Sequence, residues 1–131
     1  MRRPACPRST VRTLTIPIVL LAALSLAARA PSGGTISINE AAPYRFGQRM
    51  TFTVSAPGVA SPFVVNECFQ GGVRVYSEVH GMWPGALYGS TFTLGPTSTW
   101  TGGDADCTAK LDDQSRKRPV VLAEISFHVY G

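Results

Sequence analysis

The segment Pro62-Phe-Val-Val-Asn-Glu-Cys-Phe-Gln-Gly-Gly-Val-Arg-Val-Tyr-Ser-Glu-Val79 decides the fold class. Two runs rich in β-branched and aromatic residues flank Gly71-Gly72, and glycine supplies the positive φ angles that a two-residue hairpin turn needs. The pattern predicts a β-hairpin. On its N-terminal side, Arg49-Met-Thr-Phe-Thr-Val-Ser55 alternates with period two, so Met50, Phe52 and Val54 point inward and Arg49, Thr51 and Thr53 outward. Thr35-Ile-Ser-Ile38 alternates likewise, with Ile36 and Ile38 on one face. On the C-terminal side, Ser90-Thr-Phe-Thr-Leu94 pairs Phe92 with Leu94, and Ala105-Asp-Cys-Thr-Ala-Lys-Leu111 turns Cys107, Ala109 and Leu111 inward. Val121-Leu-Ala-Glu-Ile-Ser-Phe-His-Val129 comes last, with Val121, Ala123, Ile125, Phe127 and Val129 inward. Helical periodicity is almost absent after residue 30. About seven short strands, punctuated by turns such as Ala56-Pro-Gly58 and Gly102-Gly-Asp104, predict an all-β antiparallel sandwich.

The first thirty residues follow different rules. Arg2, Arg3, Arg8 and Arg12 make a basic start, and no acidic residue precedes Glu40. An uncharged, largely apolar stretch runs from Leu14 to Ala28, and small residues around Ala27 to Ala30 offer the small-x-small pattern of a cleavable leader. A spanning helix wants about twenty apolar residues; this stretch is shorter and contains Pro17. The expectation is a signal-peptide helix over residues 1–30 and one domain over residues 31–131, with no stable membrane insertion after cleavage. Pro31 disfavours cutting directly after Ala30, and no Cys follows the apolar stretch to take a lipid.

Removing such a leader changes the charge. Of twelve basic residues, five lie before Pro31, leaving seven against eight acids in a near-neutral domain. That argues against a general nucleic-acid-binding surface. Cys6 leaves too, and the even pair Cys68 and Cys107 reads as one disulfide in an oxidising compartment. Closing a loop of that length is worth roughly 4 kcal/mol on the chain-entropy model.

In immunoglobulin lettering the strands are A, B, C, C′, E, F and G. Cys68 then lies near the end of C and Cys107 near the start of F, ends that meet at one pole of neighbouring strands. Gly47-Gln-Arg-Met-Thr-Phe-Thr-Val54 resembles the B strand of bacterial immunoglobulin-like domains. Cys68-Phe-Gln, Val75-Tyr-Ser-Glu78, Leu94-Gly-Pro-Thr-Ser-Thr-Trp100 and Gly103-Asp-Ala-Asp-Cys-Thr-Ala-Lys-Leu111 are similar to small secreted immunoglobulin-like proteins of actinobacteria and their phages. The resemblance spans roughly residues 35 to 131. It implies a fold and a surface or binding role, without a chemistry; strand C lacks the Trp of antibody-type domains.

Catalytic signals are weak. Two histidines, His80 and His128, are too few for a three- or four-ligand metal site and read as solvated surface residues. Asp104-Ala-Asp106 and Asp112-Asp113 fall at opposite ends of strand F and read as turn chemistry rather than a calcium site. No Gly-x-Ser-x-Gly elbow occurs, and the disulfide consumes both thiols. Glu67 and Glu78 could face one another across the hairpin, which is a thin basis for glycosidase chemistry. The expectation is a non-enzymatic protein with no cofactor.

Recognition is expected in the loops. The B–C loop (Ala56 to Ser61), the C′–E loop (His80 to Gly89) and the F–G loop (Asp112 to Pro119) should gather at one pole. They carry Met82, Trp83, Tyr88, Arg116, Lys117 and Arg118, and Trp, Tyr and Arg dominate binding hot spots; the alternative for Trp83 and Tyr88 is that they fold back to cap the core's open end. The reading is a secreted or cell-envelope adhesion module for a protein or glycan. Its alternatives are a structural envelope or virion-surface domain, or an enzyme inhibitor.

Overall fold

A computed structural model describes residues 33–131; the expected leader over residues 1–30 and its cleavage site lie outside them. The described chain is all-β. Its strands are β1 (Thr35–Ile38), β2 (Tyr44–Arg45), β3 (Arg49–Ser55), β4 (Pro62–Gln70), β5 (Val73–Gly81), β6 (Thr91–Thr93), β7 (Ala105–Asp113) and β8 (Val120–Tyr130). They form two sheets, ordered β1-β3-β6 and β2-β8-β7-β4-β5. Every pairing is antiparallel except β2 with β8, where Tyr44 pairs Val129 and Arg45 pairs Tyr130 in parallel. Strand β2 escaped the sequence reading because two residues are too few to show a period.

The alternation in the sequence builds the core. Met50 and Phe52 of β3 and Phe92 of β6 face Val64 and Cys68 of β4 and Cys107, Ala109 and Leu111 of β7, all nearly inaccessible. Burying the Met, Phe, Val and Leu side chains among them stabilises by roughly 1.5–3 kcal/mol each. Trp100, in the connection between β6 and β7, is fully buried and donates its indole N–H to the Gly103 carbonyl at 3.1 Å. It lies edge-on to Phe46 and Tyr76.

Cys68 and Cys107 are direct partners in the β4–β7 register and form a disulfide, with Cα atoms 4.0 Å apart. It joins adjacent strands of one sheet at the end remote from Pro62 and Asp113. The bond accords with an oxidising compartment. No helix among the described residues is long and apolar enough to cross a membrane.

Two bulges break the simple alternation. At the β4–β5 hairpin, Gln70 pairs Val73 across Gly71 and Gly72, both at positive φ (55° and 81°). The register then shifts: Phe69 pairs Arg74 but Cys68 pairs Tyr76, leaving Val75 as the extra residue. One inserted residue sends every later side chain to the other face. Glu67 therefore pairs Ser77 and points outward, whereas Glu78 pairs Asn66 and points inward. The two carboxylates do not face each other. His80 also turns inward, its side chain only 12% exposed, so it is not the solvated histidine that the sequence suggested. The second bulge lies between β7 and β8, where Leu111 pairs Ala123 and Asp112 pairs Val121. The extra residue is Leu122, which is buried, while Val121 is exposed rather than inward.

Candidate functional site

The register fixes one pole. Pro62 pairs Asp113 and Phe63 pairs Gly81, so the start of β4 and the ends of β5 and β7 lie side by side. The connections 56–61, 82–90 and 114–119 emerge there together. The chain also enters the domain there: Thr35 pairs Ser55, and a β-carbon at Gly34 would lie 2.9 Å from the Ser55 carbonyl oxygen. His80 and Asp112, expected in loops, belong to β5 and β7.

The 82–90 connection is pinned at its base and open at its tip. Met82 donates its N–H to the Pro62 carbonyl at 2.8 Å and packs its side chain on the core. Trp83 folds over Gly81, where a β-carbon would collide with the indole, and lies edge-on to Phe63 at 4.9 Å between ring centroids. Trp83 is thus half-buried against the outside of the five-stranded sheet. A turn closed by Ala86 N–H on the Trp83 carbonyl then projects Leu87 and Tyr88, which are 93% and 78% exposed. Between tip and sheet runs a groove of about 280 Å³ lined by Phe63, Val79, Trp83, Ala86, Leu87 and Tyr88. Leu87 was not singled out in the sequence, where an aliphatic residue in a loop looks like any core candidate.

The 114–119 connection supplies the charge. Asp113 accepts from the Ser115 hydroxyl at 2.6 Å and from its backbone N–H at 3.0 Å, and these bonds lower its pKa. Arg116 leans on the same carboxylate at 3.7 Å but keeps 71% of its side chain exposed. Lys117 and Arg118 are exposed. Beside them Asp112 is buried between Phe63 and Val121 with one carboxylate oxygen unpartnered, and burial raises its pKa. Connections 56–61 and 82–90 contain no charged residue. The exposed charges of the three loops are therefore all positive.

A second polar group lines the inward-turned side of edge strand β5, where the Glu78 side chain stays 39% exposed. The Tyr76 hydroxyl donates to Glu78 Oε2 at 2.7 Å, and His80 Nε2 stands 3.4 Å from the same oxygen. The Gly89 carbonyl, 2.8 Å from His80 Nδ1, can only accept, so that nitrogen carries the hydrogen. Burial, reinforced by the Glu78 hydrogen bond, pushes the Tyr76 phenol well above its ordinary range. Asn66, fully buried opposite Glu78, has no partner for either amide atom among the described residues. The sequence concealed this row because its inward direction depends on the Val75 bulge.

The far pole holds His128. Its Nδ1 lies 2.8 Å from Asp106 Oδ1 and its Nε2 lies 3.6 Å from Asp104 Oδ2, while Asp104 also accepts the Gly131 N–H. The two carboxylates sit on opposite nitrogens and do not converge on one point. Among the described residues no three His, Cys, Asp or Glu side chains form a metal-holding group. Comparison of the chain with protein-family models, with curated proteins and with solved structures returned no match.

Proposed function

We propose that this chain is an exported, non-enzymatic binding module of immunoglobulin-like architecture whose recognition surface is the loop pole. The order β1-β3-β6 against β2-β8-β7-β4-β5 corresponds to A-B-E against A′-G-F-C-C′, which supports that architecture. The observation that carries the function is the exposure of Leu87 and Tyr88 beside an apolar groove on a rigid support. Exposed apolar side chains grouped in this way mark interaction sites, and loops held by a scaffold are where recognition concentrates. The Tyr76–Glu78–His80 row is the nearest thing to a catalytic cluster, but its phenol and carboxylate are engaged with each other. Export rests on the disulfide and on the leader-like first thirty residues.

The test is retention of fluorescently labelled protein on the envelope fraction of the source cells. The double variant Leu87→Ser/Tyr88→Ser should lower retention roughly tenfold or more, as loss of a hot spot does. Val73→Ser, at the hairpin turn of the far pole, should leave retention unchanged. Equal retention of all three proteins would remove the loop pole as the recognition surface.

A further inference from the structure

We infer that the loop pole docks on the surface of an anionic lipid bilayer, an assignment that rests on reading this pole as the recognition surface. Three independent features converge there.

The first is charge. Among connections 56–61, 82–90 and 114–119 the charged residues are Arg116, Lys117 and Arg118 alone. Asp112 and Asp113, at the base of the third connection, are buried, and Asp113 offsets part of the Arg116 charge from 3.7 Å while Lys117 and Arg118 stay exposed. The acidic residues Asp104 and Asp106 lie at the opposite pole, beside His128. Arg45, Arg49 and Arg74 lie towards that far end too, so what distinguishes the loop pole is cations without an exposed acid. The loop pole is complementary to lipid phosphates.

The second is apolar reach. Leu87, 93% exposed, and Tyr88, 78% exposed, stand at the tip of an uncharged loop. Trp83 backs them, held edge-on by Phe63. A tip of Leu and Tyr with Trp behind it suits a bilayer interface, where aromatic rings sit at headgroup level. The bases of the Trp83 and Arg116 loops are separated only by β4, roughly 10 Å at the usual strand spacing. The apolar loop and the cations thus leave the same end of the five-stranded sheet.

The third is where the chain enters. Gly33 and Gly34 lie at this pole, against Leu122, Leu111 and the end of β3. Residues 29–32 alone separate the apolar stretch ending at Ala28 from the domain. Fully extended, such a link spans about 17 Å. While that stretch is in a membrane, the loop pole is the end of the domain held nearest the lipid. The same surface would then prolong the contact after cleavage.

Three cations and one short apolar tip make a weak, reversible attachment rather than an anchor. The native probe is Trp83, because Trp100, the other tryptophan, is fully buried. Protein in its exported form is titrated with phosphatidylcholine vesicles that do or do not contain one-third phosphatidylglycerol. Anionic vesicles should shift Trp83 emission to the blue, brominated acyl chains should quench it, and added salt should reverse both. The triple variant Arg116→Ser/Lys117→Ser/Arg118→Ser should bind about a hundredfold more weakly, at roughly fivefold per cation. Leu87→Ser should weaken binding while leaving the salt dependence intact.

Binding that ignores anionic lipid content, or that survives the triple substitution, would overturn the assignment. So would no vesicle binding at all. If Leu87→Ser/Tyr88→Ser still abolishes envelope retention in that case, the pole recognises a protein or glycan and only the lipid assignment fails. If retention is unaffected as well, the recognition pole itself is wrong.

Discussion

Trp83 lies edge-on to Phe63, ring centroids 4.9 Å apart, and that contact ties the 82–90 loop to the outside of the five-stranded sheet. The indole occupies the space that a β-carbon on Gly81 would need. Leu87 and Tyr88 are therefore presented by a loop with a fixed base, which lowers the ordering cost of docking.

Gly81→Ala should disturb this base. Forcing a methyl against the indole should cost about 1–3 kcal/mol, as overpacking does, and should raise proteolytic cleavage within 82–90. In a Trp83→Ala background the same change should cost much less, so a double-mutant cycle by urea denaturation would expose the coupling. Equal costs in both backgrounds would show that Gly81 is not reserved for Trp83.

The Val75 bulge rests on two hydroxyls. Thr97 Oγ1 and Thr99 Oγ1 each donate to the Val75 carbonyl at 2.8 Å. Thr99→Val should cost about 1 kcal/mol, and Thr97→Val more, because Thr97 Oγ1 also accepts the Thr99 and Trp100 N–H groups. The double change should cost more than the sum, because only then does the carbonyl lose both side-chain donors. Thermal denaturation of the three variants checks this.

Much of the fold was legible in the sequence, and the bulges mark where legibility stopped. Met50, Phe52, Phe92, Cys107, Ala109 and Leu111 lie inside as their period-two spacing requires. The pairing of Cys68 with Cys107 followed from counting cysteines and ordering strands. Glu78, His80 and Val121 depend instead on one-residue register shifts, which are tertiary facts about which strand pairs with which. The loop pole was half legible. Trp83, Tyr88 and the 116–118 cations stood out by residue type, but the outward projection of Leu87 and the burial of Asp112 come from packing alone.

Cys68→Ala/Cys107→Ala should lose roughly 4 kcal/mol of stability, the chain-entropy value for a loop of this length. Peptide mapping after alkylation without reductant should find Cys68 and Cys107 unmodified. Two alkylated thiols would contradict the bond.

The far pole should be pH-sensitive through His128. Its hydrogen bond to Asp106, helped by Asp104, raises its pKa above the ordinary 6.5. A raised folded-state pKa means the added stability is complete below the unfolded value and fades as pH rises through the folded one. Asp104, lowered chiefly by the Gly131 N–H, works in reverse and gives up its contribution as pH falls through its folded value. His128→Gln should thus reduce the melting temperature below the ordinary histidine pKa, and its effect should fade as pH rises above it. Histidine NMR titration should place His128 above an unstructured histidine, and Asp106→Asn should bring it down.

The claim that matters most is that the loop pole is the surface that touches the partner. Hydroxyl-radical footprinting of the protein bound to the source envelope fraction tests it directly, because oxidation reports side chain by side chain. Trp83, Leu87 and Tyr88 should be protected on binding, while Val73 and Tyr130, also exposed, should oxidise as in the free protein. Protection of Val73 or Tyr130 with Leu87 and Tyr88 left reactive would place the contact elsewhere and contradict the account.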